Sequence, residues 1–172
     1  MKKVTLLTII LLLSGGAIFA ESTSGSIVLQ GSVPQILEVT VTSTGDASSL
    51  DLSATVTTPL KVGTVVEKSN KKAGYTVTLE SANAVSTGVN SAYFKSTDPS
   101  NTDTLDYTIY YDGSEVTLSG GSAVVSDVST KTDAGGSSKD VEITYDGASA
   151  FMYEDNYEDN YEDTLTFTIA AK

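Results

Sequence analysis

The residues with most chemistry to offer are acids. The 172-residue chain holds 22 Asp and Glu against 10 Lys, with no Arg, His, Cys or Trp. Three copies of one unit, Tyr153-Glu-Asp-Asn156, Tyr157-Glu-Asp-Asn160 and Tyr161-Glu-Asp-Thr164, carry six of the 22. Clustered carboxylates suit hard cations such as Ca2+, which take oxygen ligands at about 2.3–2.6 Å. Asp155, Glu158, Asp159, Glu162 and Asp163 therefore form a candidate acidic cation patch. In an extended chain, residues four apart share a side, so Tyr153, Tyr157 and Tyr161 align while the carboxylates do not converge on one point. The repeat also reads as a tandem duplication that lengthened a loop, residues 152–163, before the last strand. Asp98, Ser100 and Asp103, in the stretch STDPSNTDT, are a second candidate cation loop. That stretch equally reads as a solvated turn bent at Pro99.

Nothing in the chain assembles a catalytic set. A carboxylate pair of the glycosidase kind needs environments that split two pKa values. Here nearly every acid falls in a turn or on the polar phase of a strand. No G-x-S-x-G elbow is present and no His can act as base; a Ser–Lys dyad is left open by abundant Ser. No catalytic residue is assigned, and the expectation is a protein that is not an enzyme. Without His or Cys there is no ordinary zinc or copper site and no disulfide, so no resident metal or cofactor is expected apart from Ca2+ at the acidic patch. A chain this acidic and without Arg is also a poor partner for a nucleic-acid backbone, which needs clustered cations.

Residues 1–20, MKKVTLLTIILLLSGGAIFA, read as a Sec signal peptide cut after Ala20. Lys2 and Lys3 precede an apolar run of about ten residues, too short for a membrane span of roughly 20. Secretion to the periplasm, cell surface or medium is expected, with no transmembrane segment in the mature chain. Loss of two Lys leaves 8 − 22 = −14, against −12 for the whole chain.

Residues 21–172 are the size of one domain. Thr and Ser together make 47 of the 172 residues. Branched Thr and Val suit pleated backbone, and period-2 alternation recurs while a 3.6-residue apolar period does not. Ile27, Leu29, Gly31 and Val33 share one face of a first strand. Leu37, Val39 and Val41 share the next, and Leu50, Leu52, Ala54 and Val56 a third. KVGTVVEK (residues 61–68) is a less regular strand with Gly63 as a bulge. Tyr75, Val77 and Leu79 follow, then Leu105, Tyr107, Ile109 and Tyr111, whose tyrosines belong to the core. Asp112-Gly113 turns that strand into residues 115–118. Val124 with Val125, then Val141, Ile143 and Tyr145 up to Asp146-Gly147, and finally Leu165, Phe167 and Ile169 complete the series. The fold expected is all-β: an antiparallel, immunoglobulin-like two-sheet sandwich with no convincing helix.

Three stretches resemble the spore coat protein U-like domain, the pilin domain of archaic chaperone–usher fimbriae. They are SIVLQGSV (residues 26–33) leading into residues 35–42, KVGTVVEKSNKKAGYTVTLES (61–81), and YEDTLTFTI (161–169). The chain lacks the cysteines common in that family and adds the Tyr-Glu-Asp-Asn insertion. What the resemblance implies is an incomplete sandwich, a strand short, completed by the N-terminal strand of the next subunit. Ile27, Leu29, Gly31 and Val33 would then be the donor residues, with a periplasmic chaperone, an outer-membrane usher and further copies as partners. The same residues read equally well as a strand pairing within its own domain. Two functions follow: a pilin-like structural subunit of a bacterial fibre or coat, or a monomeric extracellular module binding a glycan, cation or host protein.

Overall fold

The computed structural model describes residues 23–150 and 160–172, without the side chains of 149 and 150. The leader, the first two repeat units up to Asp159, and with them Asp155, Glu158 and Asp159, lie outside the described residues. Contacts divide the chain into two units, Met1–Val33 and Pro34–Lys172. In the first, residues 23–33 carry no regular secondary structure and are exposed throughout. The strand expected at residues 27–33 is therefore not formed. A ladder requires a neighbour to accept and donate, and among the described residues none is paired with it.

The second unit is the antiparallel sandwich. Ten strands form among the described residues: β1 (Leu37–Ser43), β2 (Thr55–Ser69), β3 (Tyr75–Ser81), β4 (Ala92–Ser96), β5 (Thr104–Tyr111), β6 (Ser114–Glu115), β7 (Ser122–Val128), β8 (Ser137–Asp146), β9 (Tyr161–Glu162) and β10 (Leu165–Ala171). One sheet runs β1-β2-β8-β5-β4-β9, with β6 paired to β5; the other runs β10-β3-β7. Alternation explains the layers. Tyr75, Val77 and Leu79 from β3, and Leu105, Tyr107, Ile109 and Tyr111 from β5, are all buried, with Val141, Ile143 and Tyr145 of β8 beside them. Phe94 of β4 stacks on Tyr107 with ring centroids 4.4 Å apart, and Tyr111 meets Phe167 of β10 at 5.9 Å, joining the two sheets.

Several expectations are corrected. Leu50, Leu52 and Ala54 lie in an irregular segment after a 3-10 turn (Asp46–Ser48), not in a strand. Asp51 Oδ1 accepts from the Ser53 amide and hydroxyl at 3.1 and 2.6 Å, a local turn that competes with a ladder. Instead, β2 begins at Thr55 and continues unbroken to Ser69, with register shifts at Val56/Leu60 and at Lys61/Gly63, the second at the expected bulge. The strand after Asp112-Gly113 is only two residues long; the turn itself has positive φ at both positions, 52° and 75°, as a tight hairpin requires. Asp146-Gly147 opens a one-turn helix, and α1 (Ala82–Thr87), another short helix, follows β3. The one at the later position is α2 (Gly147–Ala150). Ser81 caps α1 by accepting from the Ala84 amide, and Gly88 ends it in the left-handed region at φ 70°.

Pairing register fixes the two ends of the sandwich. Leu37 pairs with Ser69 and Ala171 with Tyr75, while the five-residue turn 70–74 joins β2 to β3. The start of β1 and the end of β10 are thus at one end. At the other end Ser43 pairs with Gly63 and Leu165 with Ser81. β1 and β10 run in opposite directions.

Candidate functional site

In a constant-type immunoglobulin sandwich, one sheet reads A-B-E-D and the other C-F-G. Taking β1, β2, β3, β5, β8 and β10 as A to F, the observed orders β1-β2-β8-β5 and β3-β10 reproduce both as far as F. Position G lies beside β10, and among the described residues no strand fills it. β10 is an edge strand whose core-facing Leu165 and Ile169 are only half-buried, while Phe167 between them is buried. Across the gap, Val41 of β1 is 50% exposed.

A cleft of about 270 Å³ opens between the sheets at the end where Ser43, Gly63 and Leu165 lie, with Ala47 and Leu50 from the segment after β1 in its wall. Val41, Val62, Phe94, Ile143, Leu165 and Phe167 are among the residues that line it. Alternation aims these side chains inward from both sheets; Phe94, Ile143 and Phe167 are buried, while Val62 and Leu165 are half-buried and Val41 is exposed. A free edge with half-buried apolar side chains beside it is what an added strand satisfies, through main-chain bonds and side chains at alternate positions.

The chain also carries a segment of the matching chemistry. Ile27, Leu29 and Val33 are 88, 91 and 84% exposed, and Val28 on the opposite phase is 76% exposed. Residues 22–37 contain no charged side chain in a chain of net charge −12. Gly31, on the same phase as Ile27, Leu29 and Val33, has open space around it.

Asp163 stands at the rim of the cleft. Its Oδ2 accepts from Ser81 Oγ and Tyr107 OH, both at 2.6 Å, and its Oδ1 from the Asn83 and Thr164 amides at 3.1 and 2.8 Å. This carboxylate braces β10, β3, β5 and the start of α1 together. Burial, and then the neighbouring Asp163 charge, push the Tyr107 hydroxyl well above the usual tyrosine range, so it remains a donor. Glu162 pairs in register with Lys95 on the exposed side of β9. Of the candidate cation patch, the two described members therefore point apart: one is taken by four protein donors, the other faces solvent.

The second candidate loop is organised as turns. Asp98 Oδ1 accepts from the Ser100 amide and hydroxyl, each at 2.8 Å, and buried Asn101 accepts from the Asp103 amide at 2.9 Å. Asp103 Oδ2 is buried with no hydrogen-bond partner. Among the described residues no three acids gather as a metal cage would require.

Glu67 is the polar feature that strand-phase reasoning missed. It lies on the inward phase of β2 with Val65 and Ser69 and is fully buried. Its Oε2 accepts from Tyr75 OH at 2.9 Å; its Oε1 accepts from Tyr111 OH at 2.6 Å and Ser126 Oγ at 2.5 Å. The donors come from β3, β5 and β7, so one carboxylate ties both sheets. Burial, with the Glu67 bond adding to it, drives both tyrosine hydroxyls well above their ordinary range. Its phase with Val65, directly before Lys68, was the available signal.

A second cleft, of about 650 Å³, is open and more polar. It is lined by Thr55, Asn90, Asp106, Thr144 and Asp146, with Tyr107 and Tyr145 among the other residues. No protein-family model matches this chain, and no curated protein matches it in sequence. No helix among the described residues is long and apolar enough to cross a membrane.

Proposed function

We propose that the chain is a secreted, pilin-like structural subunit of a bacterial surface fibre or coat, assembled by β-strand addition. Two observations carry this reading: among the described residues no strand lies at the open edge of β10, and an uncharged, alternating apolar segment at residues 27–33 is exposed. Each is unfavourable alone. The edge leaves Val41 exposed and Leu165 and Ile169 only half-buried, at about 25 cal/mol per Å² of apolar area that a strand would cover. The donor would place Ile27, Leu29, Gly31 and Val33 into the groove and hydrogen-bond along β10. Such a contact is head-to-tail and does not close on itself, so it propagates a filament. Export through the leader, escort by a periplasmic chaperone and extrusion through an outer-membrane usher fit a subunit whose groove must be kept from premature pairing.

The test is a deletion of residues 21–33. The mature chain should form a ladder of multimers in size-exclusion chromatography at micromolar concentration. The deleted chain should give none, and should gain thermal stability when a synthetic peptide of residues 22–33 is added. A mature chain that stays a cooperative monomer with or without the segment overturns the proposal.

The 650 Å³ polar cleft favours a second reading, an extracellular module that holds a glycan on hydroxyls and carboxylates around Tyr107 and Tyr145. A glycan array with no binding above background removes it.

A further inference from the structure

The charges of this acidic chain are spread unevenly, and their placement selects a partner. Two of the 10 lysines, Lys2 and Lys3, belong to the leader, which leaves 10 − 2 = 8 in residues 21–172. Five of the eight, Lys68, Lys71, Lys72, Lys131 and Lys172, gather at the end of the sandwich where β1 starts and β10 stops. We propose that this lysine end docks onto the acidic end of a second copy of the chain, a charge-directed contact that is separate from strand addition and uses none of residues 27–33.

Backbone bonds bring these lysines together. The turn 70–74 between β2 and β3 carries Lys71 and Lys72. Asn70 fixes its start: Nδ2 donates to the Pro34 carbonyl and Oδ1 accepts from the Ile36 amide, both at 2.8 Å. The Gly74 amide closes the turn onto the Lys71 carbonyl at 3.1 Å. The Lys172 amide donates to the Gly74 carbonyl at 3.2 Å, and the Thr132 amide to the Ser69 carbonyl at 2.9 Å, which sets Lys172 and Lys131 alongside. Two of the five are neutralised in place, Lys68 by Glu38 at 3.8 Å and Lys172 by Asp127. Lys71, Lys72 and Lys131 form no ion pair among the described residues, and Lys72 and Lys131 are exposed. Asp133 stands close to Lys131 in the chain. Lysines elsewhere are matched: Lys61 holds Asp140 and Lys139 holds Asp112, each at 2.6 Å, and Lys95 pairs in register with Glu162. The unmatched cations of residues 21–172 are therefore all at one end.

The opposite end, at Ser81 and Leu165, is acidic. Glu162 and Asp163 lead into β10 there. The Thr97 amide donates to the Asn160 carbonyl at 2.8 Å, which brings the loop of Asp98 and Asp103 beside them. Asp98 and Glu162 are exposed. Tyr75 to Ser81, the length of β3, separates the two ends by about 20 Å at strand rise, more than two screening lengths of about 8 Å at physiological salt. Each end therefore presents its own charge to a neighbour. Copies of so acidic a chain repel one another when acidic end meets acidic end. A second copy meets opposite charge when its acidic end approaches the lysine end. Complementarity of this kind fixes orientation and rejects wrong ones. The contact is head-to-tail, so it repeats along a row of copies.

The test is a carbodiimide cross-link, which condenses a lysine amine and a touching carboxylate into an amide while the carbodiimide becomes a urea. Unlabelled and heavy-nitrogen-labelled mature chains are mixed, linked at about 0.1 M and about 1 M salt, where screening lengths are about 10 and 3 Å, and read by mass spectrometry. Links within one chain, at Lys61–Asp140 and Lys139–Asp112, show that the reagent works. Between chains, Lys71, Lys72 or Lys131 should join Asp98 or Glu162 at the lower salt, with the yield falling about tenfold at the higher. The variants K71E/K72E/K131E and D98K/E162K should each lose these links about tenfold when alone, because like charges then face each other. Their equimolar mixture should regain links between the two variants. The links should persist in the Leu29→Asp chain, in which strand addition is weakened. Their loss in that chain would make the contact a by-product of strand addition and overturn the inference. Links between chains that avoid Lys71, Lys72 and Lys131, or that survive the higher salt undiminished, overturn it too. So does a chain that gives strong internal links and none to its neighbours.

Discussion

Leu29→Asp is expected to abolish multimers of the mature chain while leaving the folded domain untouched. Leu29 is 91% exposed within a single chain, so its replacement removes no contact of the domain, and exposed substitutions usually stay within about 0.5 kcal/mol. In the proposed fibre the same position would enter an apolar groove. Loss of the leucine removes about 1.5–3 kcal/mol of burial. A carboxylate placed there either stays charged at a cost of several kcal/mol or must take up a proton. Together these weaken the contact by at least about 4 kcal/mol, roughly 10³-fold. Gln30→Asp, on the opposite phase, is the informative control: the same charge added one residue away should leave assembly nearly intact. Sedimentation velocity on the three chains reads the result. Equal loss from both substitutions would mean that charge, not phase, controls association.

Glu67→Leu is expected to cost the domain about 3–5 kcal/mol of stability in urea unfolding. The volume is kept, so packing is not the cause. The cause is three inward-facing hydroxyls, of Tyr75, Tyr111 and Ser126, left without the carboxylate that accepts from them. A domain with about 5–15 kcal/mol in hand would be near its limit. Removing the donors as well should reverse much of the effect. The triple variant E67L/Y75F/Y111F should recover more than half of the loss, because apolar groups replacing a whole polar cluster can be nearly neutral. A single variant as stable as the parent would show that these bonds contribute nothing net.

The sheets are legible in sequence where a strand has both a buried face and a partner. Tyr75, Val77 and Leu79, or Leu105 through Tyr111, alternate because one face of each strand meets the opposite sheet. Residues 27–33 alternate just as clearly and form no strand in their own unit. Alternation states which side chains want cover; it does not state which chain supplies it. Leu50 and Leu52 mislead for a related reason. Two apolar residues two apart fit a strand, yet here they pack from an irregular segment onto the core, with Asp51 turning the chain through its side chain. α1 escapes a periodicity reading because six residues are too few to display a helical period, although the Ser81 cap and Gly88 stop are both present.

At the candidate site the division is similar. The proposed donor residues are visible as types; the cleft is not, since Val41, Phe94 and Leu165 come from three distant parts of the chain and meet only in the sandwich. Acidity misleads in the opposite sense. Glu162 and Asp163 look equivalent in the repeat, but adjacent residues of an extended chain face opposite ways. Asp163 is therefore an internal brace while Glu162 faces solvent beside Lys95. Asn70 carries no signal at all, because its role depends on the β1–β2 register that places it beside Pro34 and Ile36.

If residues 27–33 of one copy lie along β10 of another, the absence of cysteine from the chain allows the contact to be trapped directly. One preparation carries Leu29→Cys; three others carry Leu165→Cys, Phe167→Cys or Ile169→Cys on the core-facing phase of β10. A disulfide forms only where Cα atoms come within about 4.4–6.8 Å, which neighbouring strands satisfy. Each β10 variant is mixed with the Leu29→Cys chain, co-refolded and oxidised. A covalent dimer, containing one chain of each kind, is expected for at least one of the three mixtures. No trapped dimer in any mixture, or rapid closure of a chain carrying both cysteines into an internally bonded monomer, would contradict it.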